Sequence, residues 1–304
     1  MFMTSITVAA VCMDSRPGEV DYNLAAIERL TARAVSAGAS LVCFPELSAT
    51  GYPQGLERAH AVAGSSGIVI RSLHRTAATC GCTIIAGLVE PGDEETDKPS
   101  IIQVVVSPEG VVGRHRKTHL PPPEAGIYRA GSDISLFRAG PVFYGIQLCY
   151  ESHFPELSTM MALMGADIIF FPHASPRGSP EEKLESWLRH LPARAFDNAL
   201  FVIACNQSGS SGGKYRFPGT ALALDPQGRI LTTHTGGCEH VMVTKLNLEI
   251  LNEVRGHRMK YFLPRRRPSI YRALSDGMTI RKGYSEDSFS SVSGARIVST
   301  AQGE

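Results

Sequence analysis

Two segments of the chain repeat each other, and the repeat constrains the fold more than any other feature. Gly38-Ala39-Ser40-Leu41-Val42-Cys43-Phe44-Pro45-Glu46-Leu47-Ser48 aligns without a gap on Gly165-Ala166-Asp167-Ile168-Ile169-Phe170-Phe171-Pro172-His173-Ala174-Ser175. In each copy a helix ends at Gly-Ala, an apolar strand follows, and a proline closes it before a polar residue. Ser107-Pro108-Glu109-Gly110 and Asp225-Pro226-Gln227-Gly228 are a second echo, each reading as the turn of a hairpin. Two similar halves of alternating strands and helices predict two sheets facing each other with helices outside. The separation of the copies is far too long for a solenoid, so both halves belong to one α/β domain.

The remaining pattern agrees with that architecture. Ile6–Met13, Leu41–Phe44, Thr83–Val89, Val142–Leu148, Ile168–Phe171 and Leu200–Cys205 read as strands. Tyr22–Ala37, Ile68–Ala78 and Glu156–Met164 read as helices. Trp187–Asn198 reads as one more, kinked or restarted at Pro192. The strands are apolar throughout, as expected when both sheet faces are covered. Hairpins are expected over Ile101–Arg114 and Ala221–Thr233. The domain is expected to run over residues 1–284, with residues 285–304 a polar, serine-rich tail that is mobile or lies on a neighbouring subunit.

Charge excludes several partners. Thirty Lys+Arg against 29 Asp+Glu leave no field to attract nucleic acid or an anionic membrane. No run is long and apolar enough to span a bilayer, and the first residues read as a strand and not as a signal peptide. The odd count of seven cysteines, several inside apolar runs, points to a reduced, cytoplasmic protein.

In α/β sheets ligands gather at the carboxyl ends of strands. Glu46 follows one such strand across Pro45. Cys149 ends another at a strand-to-helix elbow, where backbone amides stabilise a thiolate or an oxyanion. Lys117 lies just past the first hairpin. A thiol is mostly un-ionised near neutral pH and needs a base in contact; a shielded glutamate supplies one. A lysine beside the attacked carbon neutralises the charge that develops there. Such a trio requires no metal or cofactor.

Phe44-Pro45-Glu46-Leu47-Ser48 with Gly51-Tyr52, Arg116-Lys117-Thr118-His119-Leu120, and Cys149-Tyr150-Glu151 with Phe154-Pro155-Glu156-Leu157 appear in that order. In these stretches the chain resembles the nitrilase superfamily of carbon–nitrogen hydrolases. Weaker matches at Arg194-Ala195-Phe196-Asp197-Asn198, Asn206 and Arg266-Arg267-Pro268 extend the likeness over most of residues 4–282. The resemblance implies a four-layer α-β-β-α sandwich of two pseudo-symmetric halves, commonly dimerised through helices. It implies Glu46 as general base, Lys117 as the cation, Cys149 as nucleophile, Glu124 as a second carboxylate holding the lysine, and the Tyr150 amide in the oxyanion site. Tyr52, His173 and Ser175 are candidates to line the substrate pocket. The expected partners are a small-molecule substrate and further copies of the chain.

The branch stays open. Glu151 and His153 stand where many amidase members carry Asp and Arg. Ser152 and His153 replace the arginine pair of N-carbamoyl-D-amino-acid hydrolases, and Cys149-Tyr150-Glu151 matches the Cys-Trp-Glu of nitrilases only in part. An amide or N-carbamoyl substrate leads, with a nitrile, or a scaffold without activity, as alternatives. Arg129, Arg177 and Arg189 are candidates to hold a substrate carboxylate. Cys80-Gly81-Cys82 reads as a helix-to-strand turn, and His115 and His119 as hydrogen-bonding residues on a loop. Trp187 and Phe196 are expected in the core, next to a pocket-bordering loop over Pro176–Glu185.

Overall fold

A computed structural model describes residues 4–92, 97–210 and 215–275. They fall in two units, residues 1–261 and 262–304. The first unit opens with β1 (Ser5–Cys12), α1 (Val20–Ser36), β2 (Leu41–Cys43), α2 (Leu56–Ala63), α3 (Ser66–Cys80), β3 (Thr83–Glu90), β4 (Ser100–Ser107) and β5 (Gly110–Arg116). Next come the single turn α4 (Pro122–Ala125), β6 (Phe137–Ala139), β7 (Val142–Ile146), α5 (Pro155–Leu163), β8 (Ile168–His173), α6 (Pro180–Leu188) and α7 (Leu191–Asn198). The unit closes with β9 (Phe201–Asn206), the two-residue strands β10 (Ser208–Gly209) and β11 (Phe217–Pro218), β12 (Ala221–Leu224), β13 (Ile230–His234), β14 (His240–Asn247) and α8 (Glu249–Gly256). In the second unit the described elements are a 3-10 turn at Leu263–Arg265 and α9 (Pro268–Ser275). The serine-rich segment from Ser285 lies outside the described residues.

The internal repeat becomes a symmetry of strand order. One sheet runs β14-β1-β2-β3-β4-β5 and the other β6-β7-β8-β9-β12-β13. In both, three parallel strands are flanked on one side by an antiparallel edge strand and on the other by an antiparallel hairpin. The aligned segments are thus β2 and β8, the middle strands of the two parallel trios.

Side-chain alternation builds the layers. Val8, Ala10 and Cys12 of β1 point into the core between the sheets, with Ile168 and Phe170 of β8 and Phe201 and Ile203 of β9. Ala9 and Val11 point the other way, where Leu24, Ile27 and Leu30 of α1 and Val69 and Leu73 of α3 cover the first sheet. On the outer face of the second sheet Met161 of α5 lies against Gly145 of β7, and α7 packs on β9. The result is four layers: α1 and α3, sheet, sheet, α5 and α7. Burial on both faces explains why these strands lack polar alternation.

Three local expectations need correction. The helix expected over Trp187–Asn198 does restart at Pro192, as α7, but Trp187 belongs to the preceding helix α6. A continuous helix would drive the Pro192 ring into the carbonyl of Leu188, and Leu188 is where α6 stops. The expected loop over Pro176–Glu185 holds the start of α6 instead: Ser179 Oγ accepts from the Glu182 amide (3.2 Å), the Glu182 carboxylate accepts from the Ser179 amide (2.8 Å), and Pro180 opens the first turn. Phe196 is 45% exposed and not core, whereas Trp187 is buried as expected. The Cys80-Gly81-Cys82 turn does join α3 to β3, with Gly81 left-handed at φ +66°.

Candidate active site

Glu46 leaves the carboxyl end of β2 in the first sheet, and Cys149 follows β7 in the second. Both stand where the two sheets meet at their strand ends, and Lys117 follows β5 directly. Leu47 (φ +56°) and Cys149 (φ +42°) are non-glycine residues in the left-handed region, so each turn is held in a conformation that is costly by about 1–2 kcal/mol.

The Glu46 turn is clamped from several sides. The Phe44 carbonyl accepts from Gln103 Nε2 (2.8 Å), the Glu46 carbonyl from Gln207 Nε2 (2.8 Å), and Ser48 Oγ from the Gly87 amide (3.0 Å). β3 approaches so closely that a Cβ on Gly87 would lie 2.2 Å from the Leu47 nitrogen. Only glycine fits there.

Lys117 is fully buried and bridges two carboxylates: its Nζ lies 2.7 Å from Glu46 Oε1 and 2.7 Å from Glu124 Oε2. The second oxygen of Glu46 accepts from the Ala174 amide (3.1 Å), which ties it to the end of β8 in the other sheet. The second oxygen of Glu124 accepts from the Tyr52 hydroxyl (2.9 Å). Burial raises the Glu46 carboxyl to about 6 even though Lys117 pulls it down. Burial alone would depress Lys117, but Glu46 and Glu124 hold it above the ordinary lysine value. Burial, with the negative field of Glu46, pushes the partly exposed Cys149 thiol up to about 12, while Lys117 acts in the opposite sense. At neutral pH the arrangement is therefore a thiol, a carboxylate and an ammonium within one another's fields. A carboxylate with a raised pKa beside such a thiol is equipped to take its proton.

Cys149 opens a 3-10 turn, Cys149–His153, that Glu151 locks in place. Glu151 is fully buried. Its Oε1 accepts from both the amide and the hydroxyl of Thr118 (2.6 Å each), and its Oε2 meets His115 Nε2 (2.8 Å) and the Leu148 amide (2.5 Å). Burial works against ionisation here, but His115 and Thr118 outweigh it and hold this carboxyl down to about 2. One side chain thus joins the Cys149 turn to the strand end that carries Lys117. His119 strengthens the junction by stacking on Phe154 at 4.0 Å, and the Arg194 guanidinium donates to the Ser152 carbonyl at 3.1 Å.

The other candidate positions fall around this centre. His173 is buried at the end of β8, and both its ring nitrogens are engaged within the protein: Nδ1 with the Phe171 carbonyl (2.8 Å) and Nε2 with the Trp187 indole N–H (3.2 Å). Burial and Lys183 keep it well below the usual histidine range, hence neutral. The backbone of Ser175 is paired to the Asn206 side chain (3.0 and 2.9 Å). The Tyr52 ring meets Tyr215 edge-on at 6.1 Å. A separate surface cleft between α1 and α3, lined by residues such as Asp21, Glu28 and Arg71, shares no residue with this centre.

The family model described as carbon-nitrogen hydrolase matches residues 7–255 of the chain. The protein is a carbon–nitrogen hydrolase. It is 29% identical to a nitrilase of Pyrococcus abyssi over 88% of this chain and 99% of that one. An (R)-stereoselective amidase of Pseudomonas sp. is 28% identical over 82% of this chain and 87% of its own. The crystal structure of an amidase from Nesterenkonia sp., 24% identical, superposes with a TM-score of 0.78 over 90% of this chain and 98% of the other. The four-layer sandwich is thus the fold of nitrilase-superfamily amidases.

Several residues of this hydrolase's site escape sequence reasoning. His115 has the hydrogen-bonding role expected of it, but on β5 and not on a loop; that its partner is the buried Glu151 carboxylate is set by the tertiary fold. Gln103 and Gln207 carry no motif. Lys183 falls in the expected loop over Pro176–Glu185, in the polar run Glu181-Glu182-Lys183, yet is on a helix and 8% exposed. The Ser-Pro-Glu-Glu capping box just before it signals the helix that turns Lys183 inward.

Proposed function

We propose that this hydrolase cleaves an amide-type carbon–nitrogen bond through a thioester on Cys149. The observation that carries the reading is the buried Lys117 ammonium shared by Glu46 and Glu124 beside the Cys149 thiol. Glu46 takes the thiol proton as sulfur attacks the carbonyl carbon. The oxygen that gains charge is stabilised by Lys117 and the Tyr150 amide. Glu46 returns the proton to the nitrogen, the carbon–nitrogen bond breaks, and ammonia or an amine leaves. Water, deprotonated by Glu46, then attacks the thioester, releasing the acid and restoring the thiol. Glu124, itself held by Tyr52, keeps Lys117 in register.

An N-carbamoyl substrate follows the same steps. A nitrile is the second reading, supported by the Pyrococcus abyssi relative's name and by Cys149-Tyr150-Glu151. Mass spectrometry of protein incubated separately with amides, ureido compounds and nitriles tests these readings. An acyl adduct on Cys149 with the first two is expected. Adducts with nitriles alone would favour the second reading, and neither adduct nor turnover with any class would leave a scaffold that has kept the fold.

We also infer that the protein works as a homodimer joined through helices, since Met160, Leu163 and Met164 at the end of α5 and Phe196 on α7 are about half exposed. Seven unpaired thiols, Cys238 among them exposed, support a reducing compartment such as the cytoplasm. Among the described residues no helix is long and apolar enough to cross a membrane.

A further inference from the structure

Lys183 is a buried cation with no anion of its own. It sits on the inner face of α6, 8% exposed, one helical turn before Trp187. Its ammonium lies against the Trp187 ring, whose centroid is 5.4 Å from Nζ. Among the described residues it makes no hydrogen bond and no ion pair. Trp187 is in turn fixed by donating to His173 Nε2 (3.2 Å), and the residue after His173, Ala174, donates its amide to Glu46 (3.1 Å). Lys183 is therefore linked through Trp187 and His173 to the strand end that holds Glu46, and lies within electrostatic reach of the proposed nucleophile. Burial pulls the ammonium below the ordinary lysine value, Cys149 and Glu46 pull it back up, and the exposed Arg177 adds repulsion.

Among the described residues no carboxylate in the site is available to balance that charge. Glu46 and Glu124 are both spent on Lys117, and Glu151 on His115, Thr118 and Leu148. The histidines around Lys183 do not help, since burial, with neighbouring positive charge that includes Lys183, holds His153, His173 and His190 away from protonation, and none of them carries an anion. A buried ammonium lacking a counter-ion is costly, and chains seldom keep one except where something charged arrives to meet it. Of the sequence's three candidates for holding a carboxylate, Arg177 and Arg189 are exposed and Arg129 is half-buried.

We propose that Lys183 is the specificity residue of the pocket and binds a carboxylate on the substrate, so that the preferred substrates are amides or N-carbamoyl compounds bearing a carboxylate a few bonds from the scissile carbon. The inference rests on the amide-type reading above. The carboxylate would complete the pairing that the chain leaves open, and the Trp187 face would exclude water from it.

The test compares glutaramate with its neutral isostere 5-methylhexanamide, and N-carbamoyl-β-alanine with N-(3-methylbutyl)urea. Wild-type enzyme is expected to favour the carboxylate member of at least one pair by about thirtyfold or more in kcat/KM, chiefly through KM, as for a desolvated charge pair. Lys183→Met should collapse that ratio to near one, while Lys183→Arg should retain a clear preference. No preference in the wild type, or a preference that survives Lys183→Met, overturns the proposal. So does a Lys183→Met variant that loses kcat equally on both members, because the lysine would then be acting on the thiol. A readout independent of turnover separates this inference from the hydrolytic reading: glutarate should protect Cys149 from iodoacetamide in the wild type but not in Lys183→Met. Protection without any turnover keeps the anion subsite and sinks the amide reading. Turnover without protection or preference does the reverse. Should Lys183→Met fail to fold, the wild-type ratio, the protection by glutarate and the Lys183→Arg variant still decide.

Discussion

Burial makes Glu46 what it is. An exposed glutamate titrates near 4.3 and would be a weak base toward a thiol; removed from water it rises to about 6, still ionised at neutral pH but with more affinity for a proton. Because the proposed mechanism uses the ionised form, kcat/KM should fall on the acid side, about tenfold per pH unit below roughly pH 6. An acid limb centred near 4, measured on a substrate that does not titrate there, would mean another group controls the rate. Glu46→Gln keeps the shape of the side chain and a partner for Ala174 but cannot accept the thiol proton. It should lower kcat by about a hundredfold or more while substrate still binds. A variant retaining most of its rate would remove Glu46 as the base. Glu46 and Cys149 are legible in the order of amino acids because each follows an apolar strand whose end announces itself, and Lys117 because it follows a hairpin within Arg116-Lys117-Thr118-His119. Lys183 is not, nor is the buried carboxylate that His115 meets: a residue's solvent exposure is a property of what folds over it.

At the scale of elements, the site depends on how closely β3 runs past the turn that follows β2. Gly87 donates its amide to Ser48 Oγ and accepts from the Ala49 amide at 2.8 Å, and a methyl group there would collide with backbone that no rotamer can move. Gly87→Ala should therefore shift Glu46, reducing kcat/KM by about tenfold to a hundredfold and destabilising the fold by about 1–3 kcal/mol in denaturant unfolding. Wild-type activity with wild-type stability would show that the turn relaxes freely. Helix limits are partly legible. The rule that forbids a proline ring against the carbonyl four residues earlier places the break between α6 and α7, and Ser179-Pro180-Glu181-Glu182 spells the start of α6. Strand β14 shows alternation along His240–Asn247, but with one side half-exposed its pattern is weaker than that of the buried strands.

For the molecule as a whole, the doubled strand order explains why one site and not two arises. The positions equivalent in the two halves, Glu46 and His173, lie at the ends of the middle strands of facing sheets; the first bonds Lys117, which follows β5 in the same sheet, while the second is used up between Phe171 and Trp187. The outer helices of the second half carry the apolar patch that a second copy is proposed to cover. Leu163→Glu together with Met160→Glu should shift the particle from dimer to monomer in light scattering; a particle already monomeric in the wild type, or a dimer untouched by the double change, refutes that interface. The amino-acid order alone determined the two-sheet architecture, the repeat and the trio at the strand ends, because apolar periodicity and prolines act over a few neighbouring residues. Which side chains lost their water, which carboxylates were spent on Lys117, and which cation was left unpaired were decided only when distant segments closed on one another, since desolvation and pairing depend on groups that chain order does not bring together.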